Sequence, residues 1–317
     1  MGALKNPANL FTALVLLIFA LTPVVAPLIG ESFYVTVFAR IMIWAIAAVS
    51  LNLIMGYGGL ISFGHAVYLG IGGYTVGILA FHGITSAWIQ WPVGILLSGL
   101  IALVFGAISL RTKGVYSIMI TLALAQMIFF LSISAERYGS DDGLNILTRS
   151  DFGIGFFSLN DKLTMYYTIF AILLASVFVS WRMVNSRFGA VMRAAKSNDT
   201  RVQSIGVSTY RYRLTAFVIA GMMCGVAGLL QANLERFVSP DMMNWHRSGE
   251  LIFMVVLGGM STLFGPVTGA FVFLMLSEIL ASWTHHWHII FGPFLVLVVL
   301  FARGGIAGLL TRRRERD

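Results

Sequence analysis

A single cysteine, Cys224, is all the thiol chemistry this chain possesses. One cysteine forms no internal disulfide and builds no metal site, and its place in an apolar run makes it a small buried hydrophobe. Charge is scarce as well: charged residues make up 11% of the 317, against 58% hydrophobic residues and a mean hydropathy of +0.87. A chain so poor in polar side chains cannot cover a soluble globule, and it needs lipid as its solvent. Catalytic signatures are missing too. No G-x-x-x-x-G-K-[ST] phosphate loop, H-E-x-x-H helix or G-x-S-x-G elbow occurs, so no catalytic residue, metal or cofactor is assigned. Any use of ATP falls to a partner.

Acids are thinnest where bases are densest. Between Arg182 and Arg213 the chain carries Arg182, Arg187, Arg193, Lys196, Arg201, Arg211 and Arg213 against one acid, Asp199, with long apolar stretches on both sides. Positive charge is retained on the cytoplasmic face, so this loop orients every span counted outward from it. The net charge of +8 sits there and in the tail Arg312, Arg313, Arg314 and Arg316. Basic residues at span ends are what topology requires, and nucleic acid is not an expected partner.

Apolar stretches of about 17–25 residues cross a bilayer as helices, because hydrocarbon offers no partner for free backbone groups. The sequence predicts an all-α, polytopic protein with about ten spans (8–10), near 10–29, 33–55, 60–81, 91–110, 114–133, 164–181, 213–233, 248–258, 266–283 and 289–303. The first is read as uncleaved, since Pro23 and Pro27 stand where a signal peptide would be cut and no A-x-A-like site follows. The whole chain, 1–317, forms one transmembrane domain with both termini cytoplasmic. Alternation places 182–213 and the basic tail 304–317 inside and 134–163 outside. The eighth span is short and the third is rich in glycine, so either is a candidate re-entrant segment.

Glycines gather where helices meet. Gly221/Gly225 and Gly265/Gly269 have the GxxxG spacing that lets backbones approach. The run Gly56-Tyr57-Gly58-Gly59, followed by Ser62-Phe63-Gly64-His65, is a poor continuous helix, and helices broken at membrane depth are tolerated where they line a cavity. A loosely similar Gly258-Gly259…Phe264-Gly265-Pro266 recurs about two hundred residues later.

Ionisable or polar groups inside spans mark candidate pathway residues. These are Asn52, Tyr57, Ser62, His65, Gln126 and Glu278, while Arg40 lies near enough an outer end to snorkel. His285-His286-x-His288 falls in an expected external turn between Trp283 and Trp287 and reads as an interfacial loop.

The basic loop has order that topology alone does not require. Phe188, Val191, Met192 and Ala195 share one helical face, with Arg187, Arg193 and Lys196 elsewhere. Ser197-Asn198-Asp199 offers caps for a second short helix through Arg201, ending at Gly206. Two amphipathic helices of this kind make a docking surface.

The segments Leu51–His65, Ser186–Asn198 and Met254–Ala270 resemble the branched-chain amino acid ABC transporter permeases, and the resemblance runs from about residue 40 to 303. Length, and Gly139–Leu144 in the external loop, favour the LivM-type subunit. The resemblance implies an ABC importer permease fold in the bacterial inner membrane, a LivH-type permease partner, two ABC ATPase subunits docked below, and a periplasmic substrate-binding protein. It makes 134–163 a periplasmic loop and 182–213 the coupling loop, with Arg187, Phe188, Val191, Met192, Arg193, Lys196, Asp199 and Arg201 as expected ATPase-coupling residues. Arg137, Arg149, Arg236 and Arg247 are the external cations available to a binding protein. The expected activity is uptake of amino acids, branched aliphatic ones first, by alternating access; the alternative is an ion-gradient-driven secondary transporter or channel for a small polar solute, with Glu278 and His65 as its relay.

Overall fold

The computed structural model describes residues 7–28, 33–153 and 158–283, with short pieces at 286, 289, 291–293, 296–297, 304–306 and 308. The described helices are α1 (Pro7–Leu28), α2 (Phe33–Asn52), α3 (Ala66–Phe81), α4 (Ala87–Ser109), α5 (Val115–Ile133), α6 (Lys162–Val184), α7 (Arg187–Ser197), α8 (Asp199–Ser204), α9 (Thr209–Glu235), α10 (Trp245–Gly258) and α11 (Gly265–Trp283). A π-helical turn, Leu53–Tyr57, continues α2. Six helical stretches among the described residues are long and apolar enough to cross a membrane: 33–57, α4, α5, α6, α9 and α11. Shorter apolar helices cover Phe11–Pro23 and α3. The expected third span is therefore helical only from Ala66, and the expected eighth is the 14-residue α10. Most of the expected tenth span at 289–303 and of the tail at 304–317 lies outside the described residues, as do His285 and His288.

Contacts sort the connections into two ends. At one, Ser86 bridges Asp151, His82 Nε2 lies 3.2 Å from the Tyr138 hydroxyl, and Arg40 reaches Glu235 at 3.4 Å. There too β1 (Leu144–Asn145) pairs antiparallel with β2 (Phe237–Val238), Leu144 opposite Val238. At the other end Asp199 lies 3.9 Å from Lys113 and 3.6 Å from Arg213. Segments that charge alternation puts on one side thus meet one another.

The centre of the bundle is α2, where every residue from Ile41 to Gly58 is buried. A helix apolar on all sides belongs inside a bundle, and α6, α9, α10 and α11 surround this one. Close approach elsewhere depends on small residues. A Cβ on Gly228 of α9 would strike the Leu69 carbonyl of α3, and one on Gly72 would strike the Gly225 carbonyl. On the α11 side, Gly269 lies against the Met254 carbonyl of α10 in the same way. Both GxxxG pairs therefore sit at helix crossings, where lipid tails give no hydrophobic drive and packing must supply the attraction.

Gly228→Ala should lower the midpoint of unfolding in detergent, by about 1–3 kcal/mol for overpacking against rigid backbone. Gly249→Ala, at a helical position with nothing within 4 Å, should not. Equal midpoints for the two variants would refute the close α3–α9 crossing.

Candidate coupling site at two broken helices

Regular hydrogen bonding in α2 gives out in the π turn at Leu53–Tyr57, and the chain then runs irregularly to His65 before α3 begins. Gly59 turns it with φ +70°, a left-handed conformation that glycine adopts without a Cβ clash. A second break separates α10 from α11, with Gly259 at φ +114° and Ser261 at φ +64°. The two breaks meet. Asn52 donates from Nδ2 to the Thr262 carbonyl at 2.8 Å, and its Oδ1 accepts from the Ser261 amide at 3.2 Å. Ser261 in turn donates from Oγ to the Gly56 carbonyl at 2.6 Å. One buried amide side chain thus satisfies an acceptor and a donor that the second break sets free, as an apolar interior demands.

A third element closes on the same point. Lys196, in the last turn of α7, donates from Nζ to the Gly56 carbonyl at 2.6 Å and to Ser261 Oγ at 3.2 Å. The ammonium stands where α2 ends its run of carbonyls, the negative end of the helix dipole. Its stem crosses Gly59, and the Met192 methyl lies against Gly58. A cleft of about 320 Å³ opens beside Gly59, Leu60 and Ile61, and Lys113, Lys196, Asp199 and Arg213 also line it.

α7 is strapped to its own chain. Met192 and Ala195 are buried, Phe188 packs on Tyr212 with ring centroids 5.5 Å apart, and Val191 is half-buried. Arg193 donates to the Val184 carbonyl at 2.8 Å, and Arg213 to the Ala195 carbonyl at 3.0 Å. The Asn198 side chain caps α8 by accepting from the Arg201 amide at 3.0 Å, and Gly206 follows with φ +85°. The apolar face expected to meet a partner therefore holds α7 against the spans. What points away is Arg187, Ala190 and Ala194 on α7, with Thr200 and Arg201 on α8 and Ile205 after it. Asp199 serves inside the chain, bridging Lys113, Arg213 and Gln203.

Of the expected pathway residues, Asn52, Tyr57, Ser62 and His65 gather at the first break, all buried. His65 is sealed completely, its Nε2 2.8 Å from Ser50 Oγ and its ring edge-on to Tyr68. Gln126 is half-buried on α5, one residue past Ala125, which faces Gly64. Glu278 is exposed on α11 and joins none of them. Sequence reasoning passed over Ser50, Thr121, Ser248, Ser261 and Thr262. Thr121 Oγ1 accepts from the Phe63 amide at 3.3 Å and Ser248 Oγ from the Ala66 amide at 3.0 Å, so small hydroxyls in apolar helices satisfy the backbone freed by the break. Their signal was polarity inside a span.

The cations expected on the external side divide. Arg149 donates to the carbonyls of Asn233, at 2.8 Å, and Leu234, at 3.4 Å, so it caps the end of α9, and to that of Leu159 at 2.8 Å. Burial first and nearby Arg236 second pull its pKa below the usual value. Arg247 is held by Asp241 at 2.7 Å and Glu250 at 3.3 Å, above the Trp44 ring. Arg137 and Arg236 are exposed.

A family model described as "Branched-chain amino acid transport system / permease component" matches residues 33–311. The high-affinity branched-chain amino acid transport system permease protein LivM of Escherichia coli (strain K12) is 26% identical over 287 residues, covering 84% of this chain and 68% of that protein. LivH, named as a permease protein of the same kind of system in that strain, is 25% identical over 286 residues, covering 84% of this chain and 91% of its own. The autoinducer 2 import system permease protein LsrC of Salmonella paratyphi B is 26% identical over 257 residues, 76% of this chain and 64% of that one. No solved structure gives a significant match.

Asn52→Leu keeps the volume but removes the partner of the Thr262 carbonyl and of the Ser261 amide, at a cost of about 1–3 kcal/mol for the two hydrogen bonds. Detergent unfolding of the purified chain should show it as a lowered midpoint. A midpoint equal to that of the natural sequence would mean that the two breaks do not depend on this side chain.

Proposed function

We propose, starting from the fact that the chain belongs to the family of branched-chain amino acid transport system permease components, that it is one membrane-spanning half of a binding-protein-dependent ABC importer. A LivH-type subunit forms the other half, two ABC ATPase subunits dock at the basic end, and a periplasmic binding protein delivers cargo at the opposite end. The membrane is the bacterial inner membrane, with the basic end cytoplasmic by the rule of retained positive charge. The cargo is an amino acid of the branched-chain class, in keeping with the relatives' names.

One observation carries this reading: an ordered, basic helix pair stands at the end of the bundle, with its inner face on two broken helices and its outer face open. That outer face is exposed among the described residues, whereas a nucleotide-driven partner needs a lever of this kind. Transport follows if the nucleotide state favours one of two arrangements of the breaks over the other. Arg137 and Arg236 remain for the binding protein, as exposed pairs that are individually weak and screened by salt. The secondary-carrier reading is poorly supported, because its relay pair is split between a sealed His65 and an exposed Glu278.

Ala190→Glu combined with Arg201→Glu changes only exposed positions and should leave the chain inserted, while ATPase recovered with it falls at least about tenfold, a loss of about 1.4 kcal/mol. Phe188→Asp with Met192→Asp should instead deplete the folded chain itself, since these side chains pack inward. Undiminished ATPase on the Ala190/Arg201 variant would sink docking at this face.

A further inference from the structure

Lys196 is an exposed residue of the basic loop, yet its ammonium is bonded to the two breaks, and among the described residues no carboxylate pairs with it. Its partners are the carbonyl that ends α2 and the hydroxyl of Ser261. We propose that Lys196 is the positioning residue that transmits movement of α7 to both broken helices at once. This rests on the reading of α7 and α8 as the ATPase dock.

The geometry makes one lever of three segments. Gly56 O receives Lys196 Nζ from α7 and Ser261 Oγ from the second break, each at 2.6 Å, so a single oxygen joins the three. Asn52 locks the second break to α2 two more times. Met192, four residues before Lys196 and on the same side of α7, bears on Gly58. A displacement of α7 must therefore carry 56–61 and 259–262 with it or break the Lys196 bonds. The cleft beside Gly59–Ile61 gives those residues room to move. Because a carbonyl and a hydroxyl, not a carboxylate, hold the ammonium, the bonds can shift among neighbouring acceptors without stranding a buried counter-charge. Tyr57 and Ser62 lie in or just beyond the segment so moved, which links the lever to the expected path.

The test uses the complete complex purified on the tagged chain and placed in liposomes, with Lys196→Met, Lys196→Arg and the natural sequence compared. Lys196→Met should recover ATPase in full amount and keep its basal hydrolysis, while ATP consumed per substrate imported rises about tenfold, the scale of a lost coupling energy. Lys196→Arg, which retains a donor long enough to reach Gly56 O, should restore much of the ratio. An unchanged ratio in Lys196→Met would overturn the proposal. So would failure of both variants to assemble, because the residue would then serve folding or docking. Absence of ATPase from the natural chain would instead refute the docking reading, and this inference with it.

Discussion

A carbonyl released from a helix inside an apolar bundle must find a donor, and the Gly56 carbonyl finds two. Much of the site's geometry follows from that requirement. The sequence interrupts α2 with glycine, which frees backbone groups on buried residues such as Gly56. Hydroxyls and one amide, from Ser261, Thr121, Ser248 and Asn52, are spent on satisfying them. The second break is placed where its own freed groups answer those of the first. A membrane protein keeps irregular backbone only where such repayment is possible, which gives the two breaks a common fate.

The basic loop is shaped by the same demand. An amphipathic helix at the membrane surface has one apolar face to bury, and α7 buries it against its own spans through Phe188, Met192 and Ala195. That choice brings Lys196 to the end of α2 and leaves small and basic side chains outward. A lever needs both features: rigid attachment inward and a free surface outward. Had the apolar face pointed out, α7 would have been a sticky loop hung from α6 and α9, with little purchase on the path.

Composition and periodicity disclosed the class, most of the helices, the interruption near Gly56–Gly64 and the cap at Asn198, because each is a local property. The direction in which the apolar face of α7 points is different. Period 3.6 marks a face but not what covers it, and the cover here comes from Tyr212 and from Gly58, well over a hundred residues earlier. Asn52 read as a lone polar group in a span, since its partners are some 210 residues away. Arg137 and Arg149 look alike in a loop, yet only one finds the carbonyls at the end of α9. The GxxxG pairs were legible as crossings, while the helices they meet were not. α3 begins at Ala66, not near residue 60, because the glycine- and hydroxyl-rich break takes up the length that helix would have filled, whereas α10 is the short eighth segment that was expected.

Joint movement of the three segments is the claim on which the account stands. Hydrogen exchange on the complete complex, with and without trapped nucleotide, measures it through the amides of 54–62, 187–204 and 258–264. The account predicts that protection changes in all three windows together, while the α3–α9 crossing around Gly72 and Gly228 stays unchanged. A change confined to 187–204, with both breaks exchanging as before, would contradict it.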